Sequence, residues 1–157
     1  MPIAQSDIKF FKSAATDSDG GAISATEITD NTLNNLFDDV SGDEAQAGDV
    51  EYRKIFIKNN HGSLTWIAVK AWIESLTSST DDEIAISLST NLTGSNATGD
   101  GQSYVAPTAK THGDVLVVGN LTAGGYKDIW IRRTVSAGAA AFTNDTAVLK
   151  AEGETAA

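Results

Sequence analysis

A chain of 157 residues without a cysteine must hold itself together by apolar burial, and at this length a domain buries roughly 70% of the surface its unfolded chain exposes. Disulfides, zinc thiolates and thiol nucleophiles are excluded by the missing cysteine. The formal net charge of −10, from 11 Lys and Arg against 21 Asp and Glu, gives the surface the wrong sign for bare nucleic acid or an anionic membrane.

The start, Met1-Pro2-Ile3-Ala4-Gln5-Ser6-Asp7, lacks the cationic opening and apolar run of a secretory signal. No stretch approaches the roughly 18 apolar residues of a membrane span, so synthesis in the cytoplasm is expected. Residues 7–12 then read as a first strand. Residues 16–49 are different in kind: acidic, without Lys or Arg, and too sparse in apolar residues to make a core of their own. Leu33, Leu36 and Phe37, spaced i, i+3 and i+4, predict one or two helical turns over residues 32–39, and the remainder is expected to wrap as an extended acidic arm.

From residue 51 onward the pattern is period two, bounded by Gly, Asn, Asp and Ser, which is the signature of strands. The segments are 51–58, 65–74, 83–88, 114–118, 127–135 and 146–151. In residues 65–74, Ile67, Val69, Ala71 and Ile73 share a predicted core face, and Trp66, Ala68, Lys70 and Trp72 share the other. The link Asn59 to Leu64 suits a hairpin or a crossing between sheets, and residues 91–101 and 123–125 read as loops. The reading is therefore all-β: a single β-sandwich or jelly-roll-like domain of about seven or eight strands. Residues 1–50 form a strand plus the acidic arm, 51–152 the sandwich core and 153–157 a frayed tail. The expected core is Ile55, Ile57, Ile67, Val69, Ala71, Ile73, Ile84, Ile86, Leu88, Val115, Val117, Ile129, Ile131 and Leu149.

Motifs for chemistry are thin. Asp17-Ser18-Asp19-Gly20 with Ile23 and Glu27 echoes a calcium loop, but it is one residue short and lacks flanking helices, so no calcium site is expected. His61 and His112 both lie in loops, outside any Gly-x-Ser-x-Gly or His-Glu-x-x-His pattern, and Gly119 to Gly125 has neither the Lys nor the helix of a phosphate cradle. Neither a catalytic residue nor a cofactor is assigned. What does suggest function is aromatic residues on faces opposite the aliphatic ones: Tyr52 and Phe56, Trp66 and Trp72, and Trp130 with Arg132 and Arg133 beside it. Trp, Tyr and Arg are enriched at subunit interfaces, so these seven are the interface candidates. The competing expectation is a sheet buried on both faces, with the acidic arm covering the second.

Four blocks carry a resemblance. Ile8-Lys9-Phe10-Phe11-Lys12-Ser13-Ala14, Asn34-Asn35-Leu36-Phe37-Asp38-Asp39-Val40, Glu51-Tyr52-Arg53-Lys54-Ile55-Phe56-Ile57-Lys58-Asn59 and Asp128-Ile129-Trp130-Ile131-Arg132-Arg133-Thr134-Val135 with Ala137-Gly138-Ala139 resemble small virion proteins of tailed phages. With the size and composition, the chain is most similar to capsid decoration, or cement, proteins. The resemblance implies a homo-oligomer, a trimer above all, on the outer capsid surface, with the major capsid protein as partner and neither nucleic acid nor membrane bound. Alternatives are a tail, neck or baseplate adhesion subunit, or a carbohydrate-binding β-sandwich module.

Overall fold

A computed structural model describes residues 2–15, 20–88, 116–142 and 145–155. After a 3-10 turn at Gln5–Asp7, the elements run β1 (Ile8–Ser13), β2 (Ile23–Glu27), α1 (Gly42–Ala47), β3 (Asp49–Asn59), β4 (Trp66–Ser75), β5 (Asp82–Leu88), β6 (Leu116–Leu121), β7 (Tyr126–Val135) and β8 (Val148–Thr155). One sheet has the order β2-β1-β3-β7-β5 and the other β6-β4-β8, all pairings being antiparallel. The all-β reading holds, and the strands form the two sheets of a sandwich.

Alternation on the central strands explains why the sheets stack. The row Lys12, Ile55, Ile129 and Leu88 crosses β1, β3, β7 and β5 on one face, and Arg53, Ile131 and Ile86 form the next row. These isoleucines join Val69, Ala71, Ile73, Leu116 and Leu121 from the other sheet in one core. Each such aliphatic side chain contributes about 1.5–3 kcal/mol by leaving water. Residues 59–64 are a crossing between sheets, since β3 and β4 lie in different ones, and the turn after Leu121 crosses back to β7.

Several expectations need correcting. Trp66, predicted on the face away from the core, belongs to the core, and Ile67, predicted inside, is only half-buried. The cause is a bulge: Ile67 opposes Glu154 and Lys70 opposes Glu152, so Ala68 and Val69 together span one residue of β8, with Ala68 at φ 52°. A one-residue slip exchanges the faces of a strand. Val117 is exposed because it opposes Lys70, whereas its neighbour Leu116 opposes Ala71 and turns inward. Leu88 and Leu149 are half-buried on edge strands, and Val115 lies outside the described residues. The predicted tail is structured as far as Thr155, which pairs with Trp66. Gly153 is required there, since a Cβ on it would lie 2.6 Å from the Trp66 indole nitrogen.

Residues 32–39 are not helical. Asn31 and Asn34 take positive φ, near 55° and 54°, which interrupts the helical path, and Leu33 is left exposed. The helix forms a few residues later, where Ser41 and Glu44 make a reciprocal capping box: Glu44 N–H donates to Ser41 Oγ at 3.3 Å, and Ser41 N–H to Glu44 Oε2 at 2.6 Å. Within the supposed arm, β2 extends the larger sheet by pairing with β1.

Candidate binding surface

Register decides where the seven candidates fall. On the larger sheet, Ile55, Ile57, Ile129 and Ile131 face the core, so Phe56, Trp130, Tyr52 and Arg132 share the outer face. Phe56 and Trp130 are nonetheless buried, Trp130 completely. Tyr126 packs edge-on against Phe56 at 5.7 Å, and Lys54 extends over both rings, 5.3 Å from Phe56 and 6.0 Å from Trp130, while ion-pairing with Asp128 at 3.3 Å. Trp72, on the outer face of the smaller sheet, is buried under Lys150, and its indole N–H donates to Glu74 Oε2 at 2.5 Å. With Trp66 in the core, four of the five aromatic candidates are buried within the chain itself.

Arg133 is also taken up internally. It faces the core side of the sheet, opposite Glu51, and its guanidinium donates through Nε to Glu51 Oε2 at 2.7 Å and through Nη1 to the Asp38 carbonyl at 2.6 Å. A further contact joins Nη2 to Glu51. Arg53 donates to the other Glu51 oxygen at 3.0 Å, and the Phe37 ring lies 5.1 Å from Arg53 and 4.9 Å from Arg133. One glutamate and one phenylalanine held by two arginines clamp residues 37–38 of the acidic segment to the core-facing side of the sheet. That segment therefore reaches the face opposite the one it was expected to cover.

Tyr52 and Arg132 remain half-exposed, and they do converge. Both line a cleft of about 630 Å³ on the outer face, with Val50 and Thr134 beside them on the sheet and the loop from Leu76 to Asp81 as its wall. Arg132 donates to Glu83 at 2.8 Å on the cleft rim. At one end lies a pair of carboxyl groups. Asp145 accepts the backbone N–H groups of Ser78, at 2.5 Å, and Ser79, at 3.3 Å, which ties the segment before β8 to the loop before β5. Asp82 sits beside it with its Oδ1 buried and unbonded. Burial pushes the Asp82 carboxyl up to about 6, and the neighbouring Asp145 carboxyl adds to the shift while Thr77 and Arg133 oppose it.

The arrangement is equipped for recognition. Thr77, Ser79 and Thr80, the Arg132–Glu83 pair and Tyr52 line the cleft together with the apolar Val50, Leu76 and Ile84. His61 is occupied elsewhere, its Nδ1 accepting the N–H groups of Ser63 at 3.1 Å and Leu64 at 3.0 Å to fix the crossing after β3. Glu27 ion-pairs with Lys9 at 2.7 Å, while Asp17, Asp19 and His112 lie outside the described residues. Among the described residues no three His, Cys, Asp or Glu side chains are grouped to hold a metal.

Sequence reasoning missed Asp82, Asp145 and Asn59. Asn59 is fully buried, donating through Nδ2 to the carbonyls of Leu64 at 2.9 Å and Leu121 at 3.0 Å while its Oδ1 accepts the His61 N–H at 3.0 Å. Acids or an amide at strand ends read as solvated turn residues, and no local signal marks a partner some sixty residues away. Comparison with protein-family models, with curated proteins and with solved structures finds no match for this chain.

Proposed function

We propose that this chain is a structural binding protein of a tailed-phage particle, decorating the capsid shell and stabilising it by gripping neighbouring capsid subunits. One observation carries the reading. Three of the four sequence blocks that resemble small virion proteins fall on β1, β3 and β7, which are consecutive neighbours in the larger sheet. The resemblance thus lies in the framework of the fold, where a shared architecture would leave it.

Two further features agree with such a role. The internal ion pairs and the stacked cations lock the sheet faces, which suits a protein that must bind without rearranging. The cleft at Tyr52 and Arg132 offers a half-open, polar-rimmed site on that rigid frame, of the kind that accepts a protruding side chain or loop of a neighbouring subunit. A subunit that grips only the assembled shell stabilises it by mass action. The test is the copy number of this chain in purified particles, measured by quantitative mass spectrometry. Stoichiometry on the scale of the major capsid protein is the expected result. A copy number matching a tail or neck ring would replace the shell reading with an adhesion or connector one.

A further inference from the structure

The smaller sheet ends on β8, and no described strand pairs with its far edge. It is a regular strand, since both irregularities in its pairing arise from extra residues on β4. Its burial alternates along its whole length, yet the residues that turn toward the core, Leu149 and Ala151, are only half-buried, whereas their partners Ile73 and Ala71 on β4 are fully buried. On the opposite edge strand, β6, Leu116 and Leu121 are buried, while Val118 between them is half-buried against the core. Among the described residues, the core is therefore covered more completely along β6 than along β8.

An open edge strand pairs readily with another strand, and charged side chains are the usual deterrent. On β8 the outward residues are Val148, Lys150, Glu152 and Glu154. If a second copy of β8 lies antiparallel beside the first, about a twofold axis normal to the sheet, opposed residues share a face and only a few registers exist. An axis at Leu149 sets Lys150 against Val148 and forms no charge pair, one at Lys150 sets Lys150 against itself, one at Glu152 sets Glu152 against itself, and one at Gly153 sets Glu152 against Glu154 twice. With the axis at Ala151, Lys150 faces Glu152 of the second copy in both directions, no like charges meet, and Leu149 faces Gly153. Within each copy Glu152 already lies opposite Lys70 and Lys150 opposite Trp72, so the pairing extends an alternating row across the interface.

We infer that the chain forms a homodimer by antiparallel pairing of β8 with β8 of a second copy, Ala151 lying at the axis, to give a continuous six-stranded sheet. This is a twofold assembly in place of the threefold one that the resemblance implies, and it does not rest on the capsid reading. The occupant is a second copy because the signs along this one strand are complementary to themselves. The half-buried core residues beside them supply apolar area that the pairing would cover.

Sedimentation equilibrium on the purified full chain tests it, with Lys150→Glu, Glu152→Lys and the double swap. The wild type is expected to dimerise with rising concentration. Each single reversal places like charges opposite each other twice and should weaken the dimer by about tenfold or more. The double swap should restore it to near the wild-type constant. Lys150→Glu also loses a contact to Glu74, and Glu152→Lys sets a lysine opposite Lys70 of its own chain, so circular dichroism is measured on every variant. If either charge reversal misfolds, Ala151→Pro, at the axis, should abolish the dimer, and a dimer that survives it in a folded variant would overturn the inference. A monomer at every concentration, a trimer, a dimer indifferent to both reversals, or reversals that the swap does not repair would each overturn the inference.

Discussion

At the far end of β3 a fully buried amide, Asn59, finds partners in the two crossings it joins, whereas ten residues back along the same strand, in the row Asp49, Val135 and Asp82, a carboxyl oxygen is buried with no partner. At about 3.3 Å per residue the two places are roughly 30 Å apart. The first end spends its polar groups on specifying the fold: Asn59 holds the β3–β4 crossing to the β6–β7 crossing, and its own backbone bonds to Gly124 and Gly125 complete the knot. The second end crowds the Asp82 carboxyl, one oxygen of it buried and unbonded, against Asp145 beside a cleft, which costs stability and persists only where the surroundings enforce it. A titratable group with an unbonded oxygen beside a concavity is a candidate for binding, whereas the satisfied amide is a joint.

Breaking the clamp near the second end should have the largest effect. Arg133→Met leaves the Glu51 carboxylate half-stranded and releases Phe37 and Asp38, and a loss of about 3–5 kcal/mol is expected from chemical denaturation. If only the surface mattered at that end, the loss would be within about 1 kcal/mol.

At the joint, Asn59→Ala removes the amide that both crossings share and should cost about 2–4 kcal/mol, read by the same unfolding curves. Asn59→Asp should be at least as damaging, because it turns an oxygen toward carbonyls that need a donor.

The smallest effect is the most diagnostic. Because the folded Asp82 carboxyl titrates near 6 rather than 3.8, the native state holds a proton that the unfolded chain has released. Stability from this group is therefore full below about pH 4 and falls as pH rises through 6. The Asp82 residue is only partly buried, so solvent screening reduces the loss to about 1 kcal/mol. Asp82→Asn should remove it, so the stability difference between variant and wild type should grow from pH 4 to pH 7, and a flat difference would show that the Asp82 carboxyl is not raised in the folded state.

The contrast also shows what a sequence displays. Ile55, Ile57, Ile129 and Ile131 were legible because period-two alternation is local and their strands are central, where both neighbours enforce the register. Trp66 was misplaced because the bulge at Ala68 is set by pairing with β8, residues far away in the chain. The helix at Gly42–Ala47 was written in Ser41 and Glu44, but the stronger-looking i, i+3, i+4 spacing of Leu33, Leu36 and Phe37 drew the prediction upstream. Of the candidate site, Tyr52 and Arg132 carried a signal through residue type. Asp82 and Asp145 carried none, because their meaning comes from folding together.

The most direct test of the proposed shell-binding role uses phage particles that lack this chain and follows their heat resistance. They are expected to lose resistance while keeping their shape, to regain it on addition of the purified protein, and to regain little with Arg132→Glu, which reverses the charge lining the cleft. Particles equally robust without the chain would contradict the account.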